Sequence, residues 1–208
     1  MTIRSISDFN SFSLYIFDLD NTIYKEEDYL YQAYKDIAVK FAELVPSGSE
    51  EMLFKILLDI YQARGRKNLF DQFLEILKLD NSYIQLCLNI LRSFKPEKTI
   101  EIDETVKSII STLISQKKKI FVLTNGNAEQ QKNKIRNINW SGLDHYLQIV
   151  FANEIEPKPS SAGVEYILNS SNTEKNNTIL IGDSEVDKAC AFNSGIRFIN
   201  INHLRLLY

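Results

Sequence analysis

Four short apolar runs in this chain lead into residues that could do chemistry. Residues 14–17 run into Asp18–Leu19–Asp20–Asn21–Thr22, and residues 178–181 into Gly182–Asp183–Ser184–Glu185–Val186–Asp187. Residues 120–123 run into Thr124–Asn125–Gly126, a hydroxyl followed by a turn that exposes backbone N–H groups. After residues 148–151 comes Glu154–Ile155–Glu156–Pro157–Lys158–Pro159, with one lysine between prolines. Each segment alone has a plain structural reading. An aspartate after a strand is usually a turn former, Thr–Asn–Gly a common turn, Lys158 a solvated loop residue, and Asp183 a cap for the next helix. The set resists that reading. Aspartates gathered at one sheet edge repel one another and raise each other's pKa unless a cation is present. A divalent metal and Lys158 resolve the conflict, so the pattern points to a metal-assisted catalytic site.

The elements that must position these residues read as an open, doubly wound α/β sheet. Residues 14–17, 120–123, 148–151, 178–181 and 197–201 are mostly continuous apolar runs, as parallel strands buried on both faces require. Helical patterns near 128–138, 160–169 and 185–193 separate the later four runs. Val106, Ile109, Ile110 and Leu113 mark a helix face ahead of residue 120. Strand ends at the carboxyl edge of such a sheet are where ligands bind.

Residues 25–95 break the rhythm and read as helix after helix. Leu53, Ile56, Leu57 and Ile60 form one stripe, with Ser47 and Glu50 at capping-box spacing ahead of it. Leu69, Phe73, Leu74 and Leu77 form a second, and Tyr83, Leu86, Leu88 and Leu91 a third. Turns are expected at Pro46–Ser47–Gly48 and Arg64–Gly65. The organisation expected is therefore an α/β domain of residues 1–24 and 96–208, with an all-helical insertion of residues 25–95.

Composition narrows the class. A net charge of −3 and a pI near 5.5 give no footprint for nucleic acid or an anionic membrane. No uncharged apolar run reaches membrane-spanning length, and the N-terminus lacks a signal-peptide pattern, so a cytoplasmic protein is expected. Cys87 and Cys190 have no metal-ligand spacing; a single disulfide or two buried thiols would satisfy them, and buried thiols suit a reducing cytoplasm. Lys117–Lys118–Lys119 reads as a solvated helix end, and His145 and His203 as surface or packing residues.

The four segments, in order, resemble the signatures of the haloacid-dehalogenase-superfamily hydrolases and nearly span the chain. That resemblance implies a Rossmann-like five-stranded parallel core with a helical cap inserted after the first strand and its flap. It also implies a magnesium-dependent phosphatase for a small phosphorylated metabolite, working through an aspartyl-phosphate. Asp18 is then the nucleophile, and Asp20 the general acid and base. Thr124, the Asn125 backbone N–H and Lys158 hold the phosphoryl group. Mg²⁺ sits on Asp18, Asp183 and the Asp20 carbonyl, with Asp187 behind them orienting the site. The Asp-Leu-Asp-Asn-Thr-Ile-Tyr wording is similar to the nucleotidase-like branch.

Asp20 argues against dehalogenase chemistry, which lacks a carboxylate two residues after the nucleophile. A phosphomutase would keep every residue named, and a non-catalytic regulatory protein should show a broken site where this one is intact. Substrate choice falls to the insertion. Its aromatics, Tyr29, Tyr31, Tyr34, Tyr61, Phe70 and Phe73, read as core; Arg64, Arg66 and Lys67 are either a solvated turn or contacts to a polar leaving group.

Overall fold

The computed structural model describes residues 5–45 and 48–208. The chain divides into two compact units. One comprises residues 1–26, 101–131 and 138–208, and the other residues 27–100 and 132–137.

The first unit is built on five parallel strands: β1 (Leu14–Phe17), β2 (Lys119–Thr124), β3 (Leu147–Phe151), β4 (Thr178–Gly182) and β5 (Arg197–Asn200). Their order is β3-β2-β1-β4-β5, so the chain works outward on one side of β1 and then crosses to the other. In register, Ile16 faces Phe121 on one flank and Leu180 on the other. Central β1 is buried at every position, whereas edge strand β3 buries fully only Val150. Continuous apolar runs thus mark the inner strands, and an edge strand tolerates the polar Gln148. The fifth run is shorter than expected: β5 stops at Asn200, whose side chain accepts from the Asn202 N–H and starts a short helix at Ile201.

Several helices pack against this sheet. The stripe Val106, Ile109, Ile110 and Leu113 is fully buried on Glu104–Ser115, capped by Asp103, whose carboxylate accepts from the Val106 N–H at 3.1 Å. Ala162–Ser171 presents Val164, Ile167 and Leu168 to a core that includes Leu14, Ile16, Phe121, Leu123 and Leu180. The lysine run is not merely solvated. Lys118 Nζ donates to the Asn10 and Phe12 carbonyls at 3.0 and 2.6 Å, and Lys119 Nζ donates to the Ser171 carbonyl. Carbonyls left free at element ends capture these two ammonium groups, while Lys117 stays exposed. Cys190 is a buried free thiol in this unit, and His145 and His203 lie on the surface.

The second unit is helical: Glu27–Ala42, Glu50–Arg64, Leu69–Leu77 and Ile84–Ser93. Ser47 lies outside the described residues; the cap that starts Glu50–Arg64 is Ser49, which accepts from the Met52 N–H at 3.2 Å. Tyr29, Tyr34 and Phe73 are buried, and edge-to-face pairs join Tyr34 with Phe70 and Phe41 with Phe73. These aromatics are the unit's core. The third stripe turns about Cys87 and Leu91 rather than Leu86 and Leu88, and Cys87 is a free, fully buried thiol. Among the described residues, no helix is long and apolar enough to cross a membrane.

Candidate active site

β1 and β4 lie side by side where the chain reverses its direction of growth, and both end in aspartates. At such a switch point the strands' connections diverge and leave a crevice at their carboxyl ends. The Asp18 N–H donates to the Ile181 carbonyl at 2.8 Å, so strand pairing continues up to Asp18 itself. Asp18 is 8 % exposed.

Lys158 meets that carboxylate from the loop after β3. Its Nζ lies 2.5 Å from Asp18 Oδ1 and 2.6 Å from Asp187 Oδ1, with all three residues buried. The Lys158 backbone is fixed from β2. Its N–H donates to Asn125 Oδ1 and its carbonyl accepts from Asn125 Nδ2, both at 2.9 Å. The Asn125 side chain thus ties the lysine loop to the end of β2.

Asp187 enters from the first turn of Glu185–Ser194. Its Oδ2 accepts from the Ser184 N–H at 3.2 Å and from Ser184 Oγ at 2.5 Å, and Ser184 Oγ accepts from the Asp187 N–H. Ser184, not Asp183, is thus the helix cap, which releases Asp183 for other work. A Cβ on Gly182 would lie 2.6 Å from the Asp187 carboxylate, so only glycine lets that side chain fold back over the strand end.

Carboxylate oxygens of Asp18, Asp183 and Asp187 lie within 4.8 Å of one another. Burial pushes the Asp18 carboxyl up to about 7, against the Lys158 ammonium that opposes the shift, and Asp187 and Asp20 add to the rise. Asp183 is raised as well, by burial first and then by Asp187. The two carboxylates touching Lys158 overcome its own burial and hold it firmly protonated. One ammonium does not balance this set of acids, and the donors are all oxygen, which suits a hard cation such as Mg²⁺. Both Asp187 oxygens are already engaged, so Asp18 and Asp183 are the carboxylates best placed to hold the ion.

Asp20 sits on the turn after β1, where Asn21 adopts a left-handed φ of 57°. Tyr24 Oη donates to Asp20 Oδ1, and Gln131 Nε2 donates to Asp20 Oδ2 at 3.1 Å. The same Gln131 nitrogen lies 2.6 Å from Thr124 Oγ1 and 3.0 Å from the Asn125 carbonyl. All seven motif residues, Asp18, Asp20, Thr124, Asn125, Lys158, Asp183 and Asp187, belong to the α/β unit and end at the same sheet edge. Two residues escaped the sequence reading, Gln131 and Tyr24. Tyr24, four residues after Asp20 in the first segment, was within sight of it; Gln131 carried no signal beyond a polar place in a helical pattern. In the helical unit, Arg64 ends the second helix, and Arg66 lines a cavity of about 250 Å³ with Tyr34, Phe70, Leu88 and Leu91.

Acids at the switch point of a five-stranded parallel sheet, met by a lysine from the third strand's loop, mark the candidate site of a doubly wound α/β protein. The profile of the haloacid dehalogenase-like hydrolases matches residues 15–201, and the chain belongs to that family. Among curated proteins, none matches the sequence. Solved structures that it resembles include a HAD phosphatase from Thermococcus onnurineus, 19% identical with a TM-score of 0.59, covering 89% of this chain and 84% of that one. CbbY from Rhodobacter sphaeroides, in complex with xylulose 1,5-bisphosphate, is 18% identical with a TM-score of 0.61, covering 91% and 85%. The HAD hydrolase YfnB from Bacillus subtilis, described as bound to magnesium, is 17% identical with a TM-score of 0.58, covering 90% and 87%. At these identities the likeness is one of fold.

Proposed function

We propose that this hydrolase is a magnesium-dependent phosphatase that cleaves a small phosphate monoester through an aspartyl-phosphate on Asp18. The observation that carries the reading is the Asp18 carboxylate itself, buried at the switch point, held by Lys158 at 2.5 Å, with a second carboxylate two residues along. The family's phosphatase relatives and the described magnesium of YfnB support it.

In the first step an Asp18 oxygen forms a bond to phosphorus while the bond from phosphorus to the ester oxygen breaks. The departing electron pair is taken up on that oxygen, which receives a proton from the Asp20 carboxyl. In the second, Asp20 takes a proton from water, the water oxygen attacks phosphorus, and the acyl-phosphate bond breaks to restore Asp18. Lys158, the Thr124 hydroxyl and the Asn125 N–H hold the phosphoryl oxygens through both steps. Mg²⁺ held by Asp18, Asp183 and the Asp20 carbonyl would supply charge neutralisation for the phosphoryl group. Asp187 keeps Lys158 and the Ser184 turn in place behind them. The helical unit, residues 27–100 with 132–137, acts as the cap that selects the leaving group, and a nucleotide or sugar phosphate suits the cations at Arg64 and Arg66.

The test is a panel of nucleotides, sugar phosphates and short acid phosphates with purified protein and Mg²⁺, run beside Asp18→Asn. Phosphate release by the wild type and less than about one per cent of it in the variant is the expected result. Turnover retained by Asp18→Asn would refute the nucleophile. Phosphoryl transfer within the substrate, without release of phosphate, would make the enzyme a mutase.

A further inference from the structure

Gln131 belongs to none of the four signatures, yet it touches two of them. It is 2 % exposed, and its Nε2 reaches Asp20 Oδ2, Thr124 Oγ1 and the Asn125 carbonyl at 3.1, 2.6 and 3.0 Å. The local sequence explains the reach. Asn127 Oδ1 accepts from the Gln130 N–H at 3.1 Å and the Asn127 carbonyl accepts from the Gln131 N–H at 3.0 Å, so Gln131 closes the first turn of Ala128–Asn137. Side chains on a helix lean toward its N-terminus, which sends this one back over the loop that carries Thr124 and Asn125. Gly126, at a φ of 121°, turns the backbone beneath it.

A carboxamide nitrogen donates and does not accept, and that fixes the polarity of its neighbours. With Gln131 filling Thr124 Oγ1 as an acceptor, the Thr124 hydroxyl proton must be given away. Its present acceptor is the Asn125 carbonyl at 3.3 Å, a long contact that a phosphoryl oxygen would displace. At Asp20 the amide takes one carboxylate oxygen while Tyr24 takes the other, so rotation of the carboxylate is fixed from both ends.

We propose that Gln131 is a positioning residue that sets the Thr124 hydroxyl as a phosphate donor and aims the Asp20 carboxyl. The role assigned to Asp20 rests on the phosphatase reading; the orientation of Thr124 toward an anion does not need turnover. A residue that only packed over Gly126 would influence stability and nothing else.

The experiment uses Gln131→Met, which keeps length and removes both N–H groups, and Gln131→Glu, which keeps shape and turns a donor into an acceptor facing Asp20. Binding of inorganic phosphate to the magnesium-loaded protein is measured by calorimetry. The dissociation constant should rise about tenfold or more in both variants, the weight of one hydrogen bond to a charged ligand. kcat/KM is then compared for an alkyl phosphate and for p-nitrophenyl phosphate. Both esters should lose what phosphate binding loses, and because a poor leaving group needs the acid most, the alkyl ester should lose at least about threefold more than the aryl ester. Melting temperature is recorded on the same samples. Phosphate affinity within about twofold of wild type in both variants overturns the proposal, as does an equal loss on both esters that tracks a lower melting temperature. A wild type that turns over neither ester would sink the phosphatase reading, and the calorimetry would still decide the case of Gln131.

Discussion

Asp187→Asn replaces one oxygen of a buried carboxylate by NH₂ with almost no change of shape, and the geometry leaves the new side chain no good orientation. Asp187 Oδ1 accepts from Lys158 Nζ at 2.6 Å, and Oδ2 accepts from Ser184 N and Oγ at 3.2 and 2.5 Å. An asparagine carbonyl can satisfy one side only. Facing Ser184, it sets NH₂ against the Lys158 ammonium; facing Lys158, it sets NH₂ against the Ser184 N–H. The close backbone of Gly182 prevents the side chain from sliding away. Losing one charge-assisted hydrogen bond costs about 1.5–3 kcal/mol. Relief of repulsion with Asp18, which Asp187 pushes upward, acts in the opposite direction. A net loss of about 2 kcal/mol then corresponds to a fall of roughly 4–8 °C in melting temperature for a chain of this length. Calorimetric melting of wild type and variant in the same magnesium buffer measures it. A variant melting within about 2 °C of wild type would show that Lys158 and Ser184 do not depend on this carboxylate as the distances indicate.

Other perturbations separate the remaining roles. Asp183→Ala should raise the Mg²⁺ concentration for half-maximal activity far more than Asp187→Ala, because Asp187 already spends both oxygens on Lys158 and Ser184; equal shifts in a metal titration would reverse that ranking. Asp20→Asn should let the aspartyl-phosphate accumulate from p-nitrophenyl phosphate, since that leaving group needs little acid help while the water still needs a base; rapid-quench mass spectrometry finding no phosphate on Asp18 would contradict it. Gly182→Ala should lower both stability and activity, because the added Cβ sits 2.6 Å from the Asp187 carboxylate; unchanged melting would mean the turn has slack. Arg66→Ala should lower kcat/KM for the best polar substrate by about tenfold and for p-nitrophenyl phosphate by less than about threefold. Parallel losses would assign Arg66 to the helical unit's stability instead.

How much of the site could be read in advance follows from how strands and helices carry information. A strand that ends in a functional residue announces it, since the apolar run stops and the polar residue is next in line. Asp18 after Phe17, Thr124 after Leu123 and Asp183 after Gly182 were all visible that way. Lys158 was visible because prolines flank it in a loop whose strand was itself legible. What the linear pattern could not express was connection. Nothing in the spacing of Asn125 and Lys158 says that they exchange two hydrogen bonds across 33 positions, because those bonds exist only once β2 and β3 are paired. The helical stripes show the same limit: Leu86 and Leu88 fit the period, but the face centred on Cys87 won, since the neighbouring helices decide which side is buried.

The aspartates can hold their places only because other groups meet the cost of gathering them. Unpaired, Asp18 would be driven toward the neutral acid by burial, and a neutral acid is a poor nucleophile. Lys158 counters that drive from one side, and it can do so only while Asn125 clamps its backbone and Asp187 shares its charge. Asp187 in turn is held by Ser184 and by the missing side chain of Gly182. In the proposed mechanism Asp20 faces the opposite demand, a carboxyl that trades protons, and its partners Tyr24 and Gln131 are uncharged donors. Two carboxylates two residues apart thus have different surroundings, a cation at Asp18 and neutral hydrogen bonds at Asp20, as the proposed division into nucleophile and proton carrier requires.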